Sequence, residues 1–264
     1  MSDLTPSRRS SPLIELLEAD KPVFSLWVNY YGVGSDYQTA VAAQDNPYFD
    51  FLLYDLEHQP YDLGLLKRFL WDLLDPAALL TTGRGVIKPV IPRLPPNGRV
   101  LNQWVIKQVL DTGVAGIMVP HIETPEQALN VVTAARYPQK PGAPDFAPEG
   151  KRGYSPAVPA RYWGLHPDDY AEHSDIWGLD PSGELLLIFI IESKAGVDNV
   201  REIARAYRGR RSLHPVGGRR RHVAVVWRAR LWRASAGDSR GHRRRPGRGA
   251  RIRDSGRDER TPAS

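Results

Sequence analysis

Two kinds of apolar pattern alternate along the first 207 residues. Short apolar runs predict five strands, at residues 23–28, 49–56, 87–94, 116–120 and 185–191. Apolar residues at helical spacing predict helices at residues 12–17, 63–74, 105–110, 124–136 and 197–204. Strands that alternate with helices indicate a parallel sheet covered by helices. This pattern alone fits both a barrel and a doubly wound sheet.

One segment interrupts the alternation. Residues 139–183 are rich in Pro, Gly, Asp and Trp and predict a long, partly ordered excursion between the fourth and fifth strands. Long connections in compact domains are often functional, for example as lids over a site.

Composition excludes several classes of protein. The chain has 264 residues, 41% of them hydrophobic, and its mean hydropathy is −0.42. No apolar run approaches the roughly 20 residues of a membrane-spanning helix, and residues 1–11 lack an apolar signal segment, so we expect a cytoplasmic protein without membrane partners. There is no cysteine. Any bound metal must therefore have oxygen or imidazole ligands.

The charge of the chain changes abruptly near Tyr207. Residues 208–264 contain 18 of the 36 basic residues, all of them Arg, and only 4 of the 30 acidic residues. A single globular domain seldom changes its amino-acid usage so sharply. We therefore predict a folded part at residues 1–207 and an Arg-rich tail at residues 208–264.

Polar residues gather where the predicted strands end. The second strand ends in Asp55, Glu57 and His58, the third carries Arg93, and the fifth ends at Glu192. In α/β barrels the reacting groups lie at these C-terminal strand ends. A carboxylate beside a histidine suits an oriented general base, with Asp55 fixing the tautomer of His58. A buried Glu192 calls for a metal or a cationic partner.

Each of these residues also has a structural interpretation. Surface polarity or a helix cap would explain the residues after the second strand, and a salt bridge would explain Arg93. We predict a structural role for His121, and a place at the start of the next helix for Glu123. A base, a cation and a carboxylate at three successive strand ends are nevertheless more specific than any one of them.

Several blocks of sequence resemble the HpcH/HpaI family of class II aldolases. They occur in family order between residues 12 and 207, and the most distinctive contain Glu57-His58 and Gly116–Pro120. The blocks are Phe24-Ser-Leu-Trp27, Phe51-Leu-Leu-Tyr-Asp55-Leu-Glu57-His58, Pro89-Val-Ile-Pro-Arg93, Lys107-Gln-Val-Leu-Asp-Thr-Gly113, Gly116-Ile-Met-Val-Pro120, Ala135-Arg-Tyr-Pro138, Arg152-Gly153 and Ile191-Glu192-Ser193. The resemblance implies a (β/α)8 TIM barrel, of which the chain would keep strands one to five and lose the last three.

The resemblance also implies a reaction. Family members cleave or form 2-oxo-4-hydroxy acids through a pyruvate enolate, with a divalent ion (Mg²⁺ or Mn²⁺, with Co²⁺ or Zn²⁺ possible) as a Lewis acid. By resemblance, His58 oriented by Asp55 moves the proton and Arg93 stabilises the enolate oxygen. Trp27 and Arg93 contact the substrate, and Glu192 holds the metal. The implied partners are 2-oxo acids and aldehydes. The family is typically homo-oligomeric, an arrangement that the altered tail puts in doubt.

Two alternatives remain open from the sequence. One is a related lyase that acts on citryl-CoA or malyl-CoA; Glu57-His58 favours the aldolase because it supplies a base suited to the pyruvate enol. The other is an inactive barrel with a basic tail that binds nucleic acid. One departure bears on the site: many family members have Gln two residues before the metal-binding Glu, where this chain has Ile190.

The tail lacks the turn that the family places after strand six, which supplies a second metal-binding carboxylate. A one-base shift in the codons for residues 221–227 permits Asp-Met-Ser-Leu-Ser-Tyr-Gly, which is close to that turn. We therefore predict that residues 208–264 derive from a shifted reading frame, although Val223–Trp227 is itself strand-like. The rival interpretation is a nucleic-acid-binding arm. Absent Lys and few aromatic residues make nucleic acid the less expected partner.

Overall fold

A parallel sheet organises the part of the chain that the computed structural model describes, which is residues 9–30, 33–82, 86–96, 101–143, 146–207 and 225–227. Each strand pairs with the next one along the chain. The strands are β1 (Ser25–Val28), β2 (Phe51–Asp55), β3 (Val90–Arg93), β4 (Gly116–Val119), β5 (Leu186–Ile191) and β6 (Val225–Trp227). A doubly wound sheet would reverse its strand order. The sequential order therefore confirms the barrel-type α/β fold.

Helices connect successive strands of this sheet. They are α1 (Pro12–Glu18), α2 (Tyr37–Asp45), α3 (Leu63–Asp72), α4 (Pro76–Thr82), α5 (Gln103–Leu110), α6 (Pro125–Ala135), α7 (Ala157–Trp163), α8 (Pro167–His173), α9 (Lys194–Asp198) and α10 (Val200–Tyr207). The predicted start of α6 is a complete capping box, in which Thr124 and Gln127 satisfy each other's main-chain amides. None of the described helices is long and apolar enough to cross a membrane.

The sequence pattern missed α2. This helix buries only small residues, Ala40 and Ala43, so its apolar periodicity is weak. Its start is defined instead by Asp36, whose side chain accepts a hydrogen bond from the main chain of Thr39 at 2.8 Å. Helix α2 supplies the crossover that two parallel strands, β1 and β2, require.

Alternate residues of β2 and β5 face two different cores. In β5, Leu187, Phe189 and Ile191 pack among the helices. The intervening residues Leu186, Ile188 and Ile190 pack inside the barrel with Leu13 and Ile14 of α1. Burial on both faces explains the uninterrupted apolar run of β5. Helix α1 covers the N-terminal ends of the strands, and a cavity of about 400 Å³ lies above it in the barrel interior.

The segment at residues 139–183 is more ordered than the sequence predicted. It contains α7 and α8 and is fixed by two ion pairs, a buried one between Arg136 and Asp175 at 2.6 Å and a half-buried one between Arg152 and Asp111 at 2.9 Å. Trp163 donates a hydrogen bond to the main-chain oxygen of Gly113, just before β4. Because that contact lies at the N-terminal end of β4, this helical part of the segment is not a lid over the C-terminal strand ends.

A sixth short strand lies beside the five that the apolar runs predict. Residues Val225–Trp227 pair in parallel with β5, in the register Phe189↔Val225 and Ile191↔Trp227. The run at residues 223–227 was predicted to be strand-like, and the sheet uses its last three residues.

Candidate active site

The side chains predicted from the strand ends occupy one end of the barrel interior. Trp27, Asp55 and Arg93 have the same parity as the interior residues of their strands, and Glu192 continues the interior series of β5. Trp27, Arg93 and Glu192 line the interior cavity. The structure thus brings the predicted residues of β1, β2, β3 and β5 to the same end of the sheet.

Asp55 and Arg93 form the buried centre of this cluster. They are register partners on β2 and β3, and Arg93 Nε donates a 2.8 Å hydrogen bond to Asp55 Oδ1. Asp55 is 0% exposed and Arg93 is 5% exposed. Burial by itself would lower the pKa of Arg93, but the hydrogen bond and charge of Asp55 raise that pKa above its ordinary value.

The carboxylate of Asp55 also contacts the turn that follows β2. Its carboxylate accepts hydrogen bonds from the main-chain amides of Glu57 at 3.1 Å and His58 at 3.2 Å. The nearest carboxylate to the His58 ring is that of Glu57, with 3.6 Å between Nε2 and Oε2. Asp55 therefore shapes the turn that carries His58. No hydrogen bond joins the Asp55 carboxylate to the His58 ring within the described residues, and control of the His58 tautomer by Asp55 stays a prediction.

Glu57 is the meeting point of the charged groups. Its carboxylate lies 3.1 Å from Arg93 Nε and 3.7 Å from His121 Nε2, and its side chain is 6% exposed. His121 Nε2 also lies 3.6 Å from Glu192 Oε2, so one imidazole lies between two carboxylates. Burial raises the pKa of Glu57, an effect that the positive charge of Arg93 partly offsets.

Aromatic rings hold the Arg93 guanidinium from a second direction. The guanidinium carbon lies 4.6 Å from the centre of the Trp27 ring and 5.7 Å from that of Tyr30. Tyr30 in turn stacks on His58, with 6.4 Å between ring centres and 28° between planes. The Nη2 atom of Arg93 is buried and has no hydrogen-bond partner among the described residues. Arg93 therefore keeps one buried donor available.

The residues present fit a divalent ion only in part. Glu192, with a side chain 19% exposed, offers the hard oxygen that Mg²⁺ and Mn²⁺ prefer. Within the described ranges, however, no three Asp, Glu or His side chains are placed to hold one ion together. We therefore derive no reaction step through a metal.

Sequence reasoning found Glu57 and His121 at strand ends but gave neither of them a role in the site. Glu57 lies two positions after Asp55, so strand parity alone would have placed it with the interior groups. His121 was assigned a structural role, yet its half-exposed ring reaches both Glu57 and Glu192. Its positive φ of 54° turns the chain directly after β4, a feature that the sequence did not reveal.

Comparison with known proteins agrees with this architecture. The family model described as HpcH/HpaI aldolase/citrate lyase matches residues 33–213. A "Hydroxypyruvate/pyruvate aldolase" of Paraburkholderia phytofirmans is 31% identical over 195 residues, which cover 74% of this chain and 64% of that protein. A "5-keto-4-deoxy-D-glucarate aldolase" of Escherichia fergusonii is 35% identical over 156 residues, covering 59% of this chain and 49% of the relative.

Solved structures show the same likeness. A HpcH/HpaI aldolase/citrate lyase family protein from Burkholderia cenocepacia superposes with a TM-score of 0.56 at 28% identity, covering 74% of this chain and 64% of the other. The chain thus spans 64% and 49% of the length of these two aldolase relatives. The family match covers more than half of the chain and includes the ends of β2, β3 and β5. The chain therefore belongs to the HpcH/HpaI aldolase/citrate lyase family.

Proposed function

We propose that this protein is a metal-dependent aldolase that cleaves or forms 2-oxo-4-hydroxy acids through a pyruvate enolate. The observation that carries the proposal is the spare buried donor of Arg93 at a cavity that also contains Glu192. A guanidinium with an unused donor suits an anionic oxygen of a small organic acid. The names of the aldolase relatives support the same class of substrate.

Arg93 would stabilise the enolate oxygen. Asp55 and the Trp27 ring hold the guanidinium in place before the substrate arrives. Donors that are already oriented toward developing negative charge stabilise a transition state strongly, because they need no reorganisation during the reaction. Trp27 lines the same cavity and would form an apolar wall beside the substrate.

His58 would move the proton at C3 of pyruvate. Its side chain is 55% exposed, so the imidazole can reach a substrate at the open end of the barrel. The neighbouring Glu57 carboxylate would stabilise the positive charge that the ring gains when it takes up a proton. Asp55 would set the position of His58 through the turn.

Glu192 would be one ligand of the divalent ion. When bound, such an ion would polarise the carboxylate and keto oxygens of the 2-oxo acid and make the enolate accessible near neutral pH. By family resemblance, a second metal-binding carboxylate follows strand six, in a turn that the sequence of residues 208–264 lacks.

Each variant is tested in the printed chain and in a frame-restored version, in which the codons after about residue 207 are read one base forward. Pyruvate released from a 4-hydroxy-2-oxo acid is measured with lactate dehydrogenase in the presence of Mn²⁺. Arg93→Lys keeps the positive charge but loses the separate nitrogen, Nη2, that can bond a substrate oxygen while Nε bonds Asp55. We therefore expect the rate to fall by about 10²–10³. Arg68→Lys, at an exposed position of α3, is the matched control. Cleavage of citryl-CoA without cleavage of any 2-oxo-4-hydroxy acid would show that the aldolase proposal is wrong.

A further inference from the structure

One side-chain amide fastens the end of β1 to the end of β2. Asn29 Nδ2 donates a 3.0 Å hydrogen bond to the main-chain oxygen of Asp55, and the main-chain amide of Asp55 donates a 2.8 Å bond to Asn29 Oδ1. The last register pair of these strands is Val28↔Tyr54. The side chain of Asn29 therefore extends the β1–β2 hydrogen-bond pattern by one residue, because the main chain of Asn29 no longer pairs with β2.

The backbone at Asn29 explains why a side chain takes over. Its φ is 53°, in the left-handed region that only Gly, Asn and Asp adopt readily. Its main-chain amide donates to the main-chain oxygen of Gly34 at 3.0 Å, which closes the loop after β1. Gly would tolerate this backbone conformation but has no side-chain amide to bond the main chain of Asp55. Asn satisfies both requirements at once.

The two hydrogen bonds between Asn29 and Asp55 affect the candidate site indirectly, through the position of Asp55. The Asp55 carboxylate accepts from Arg93 Nε and from the main-chain amides of Glu57 and His58. A displacement of the Asp55 main chain would therefore move the guanidinium partner and the turn together.

The residue after Asn29 reaches the site from the other side. The Tyr30 ring lies 5.7 Å from the Arg93 guanidinium and stacks on the His58 ring. The left-handed turn at Asn29 directs the chain so that Tyr30 occupies this place. We call the two hydrogen bonds between Asn29 and Asp55 the clamp. Loss of the clamp would thus disturb both Asp55 and Tyr30, which support Arg93 and His58.

We propose that Asn29 is a positioning residue of the site, which sets the geometry of Arg93 and His58 through Asp55 and Tyr30 without touching the substrate. The proposal rests on the proposed function for its catalytic consequence. The proposal has a structural half, that the clamp fixes the end of β2, and a catalytic half, that it positions Arg93 and His58 for the reaction. The two halves can be tested separately.

The structural half is tested by hydrogen exchange of the printed chain, measured by mass spectrometry. Asn29→Gly keeps the backbone conformation and removes the amide. Asn29→Asp keeps an acceptor for the Asp55 amide and loses the donor. Asp20→Gly is the matched control, because Asp20 follows α1 with a similar φ of 56°. We expect peptides spanning residues 51–58 to exchange at least about tenfold faster in Asn29→Gly. Asn29→Asp should lie between it and the wild type.

Peptides from β4 and β5 should be unchanged in all three variants. Equal exchange of residues 51–58 in Asn29→Gly and the wild type would overturn the proposal. Acceleration of similar size along the whole chain would also overturn it, because Asn29 would then be a general stabiliser rather than a local clamp.

The catalytic half is tested in the frame-restored version, by the rate at which pyruvate C3 protons exchange with D₂O in the presence of Mg²⁺. Displaced catalytic groups lower turnover more than binding. We expect kcat for exchange to fall about tenfold in Asn29→Gly while KM changes less than about twofold. An unchanged kcat would overturn the positioning role. Absence of exchange in the unmutated protein would contradict the proposed function, and amide exchange would still decide whether Asn29 is a clamp.

Discussion

Asp55 and Arg93 lie directly opposite each other on β2 and β3, and their side chains form a 2.8 Å ion pair inside the barrel. Neither side chain has appreciable contact with water. The same pair therefore has two consequences. It supports the stability of the sheet, and it orients a guanidinium whose remaining donor faces no protein partner in the described chain.

Removal of the Asp55 carboxylate should destabilise the fold. In Asp55→Ala the buried Arg93 loses its closest partner, and breaking a buried pair costs about 3–5 kcal/mol. Because Glu57 remains 3.1 Å from Arg93 Nε, we expect the lower end of that range. Asp55→Asn keeps one acceptor and should cost about 1–3 kcal/mol. Urea unfolding followed by tryptophan fluorescence measures both.

The control for this measurement is an exposed ion pair. Asp198→Ala removes the partner of Lys194 on α9, where both side chains are more than half exposed, and should barely change the free energy of unfolding. A loss of stability in Asp55→Ala no greater than that in Asp198→Ala would contradict a structural role for the buried pair.

Replacement of His58 should separate binding from proton transfer. In the frame-restored version, His58→Ala should lower pyruvate proton exchange by about 10²–10⁴, the range of a positioned acid or base. Binding of Mn²⁺ and pyruvate should be largely retained, because His58 holds neither in the proposed site. His173→Ala, on α8 and away from the strand ends, is the control. Unchanged exchange in His58→Ala would remove this residue from the mechanism.

Strand parity explains how much of the site was predictable. The apolar runs defined five of the six strands to within about three residues, and alternate positions within those strands placed Trp27, Asp55 and Arg93 in the interior. Glu57 follows from the same rule. The rings of Tyr30 and His121 could not be placed, because each follows a strand through a loop whose direction depends on a left-handed residue, Asn29 or His121 itself.

The helices show a similar limit. Periodicity found α3 and α5, whose buried apolar residues are large, and α6, which buries seven of its eleven residues. It missed α2, which buries only two alanines. In the segment at residues 139–183, order comes from buried ion pairs such as that of Arg136 with Asp175, which lie 39 positions apart. Local sequence pattern contains no information on such long-range pairs.

Titration of Glu184 should make stability depend on pH. Burial raises the pKa of this carboxyl above its ordinary value, against the opposing hydrogen bond from the main chain of Ser11. The folded chain then holds this proton more tightly than the unfolded chain. The contribution of protonated Glu184 to the free energy of unfolding is therefore complete below the unfolded pKa of about 4.5. This contribution is lost as the pH rises through the higher pKa of the folded chain.

The check compares wild type with Glu184→Gln, which cannot titrate. Unfolding free energies measured from pH 4 upward should show the wild type losing stability relative to the variant as the pH rises. If the difference between the two proteins is independent of pH, or if the wild type gains stability relative to the variant, the assigned direction of the pKa shift is wrong.

In the frame-restored version, Glu192→Gln should weaken metal binding without unfolding the barrel. Replacement of a charged oxygen ligand by a neutral amide should raise the Kd for Mn²⁺ at least about tenfold. Electron paramagnetic resonance of free Mn²⁺ measures this without relying on turnover, and excess EDTA should abolish aldolase activity. Glu123→Gln, near the start of α6, is the control. Full turnover in EDTA would show that the enzyme is not metal-dependent.

The last prediction concerns residues 208–264 as printed. Within the described strands, β1 pairs only with β2 and β6 only with β5, so the sheet has two edges. Its interior contains a cavity lined mostly by apolar residues. Open edges and uncovered apolar faces favour aggregation. One carboxylate, Glu192, is also a poor site for an ion that needs about six oxygen ligands.

We therefore expect the printed chain to aggregate readily, to bind Mn²⁺ weakly and to show little aldolase activity. The tail offers few replacement ligands, since its acidic residues are limited to Asp238, Asp254, Asp258 and Glu259 in Arg-rich surroundings. The version read in the shifted frame after about residue 207 should regain solubility, metal binding and activity together, because a single turn would supply both the missing carboxylate and the start of the missing strands. Side-by-side expression, light scattering and pyruvate release with Mn²⁺ compare the two. A printed chain that is soluble and equally active would contradict both the frame shift and the place assigned to the second carboxylate.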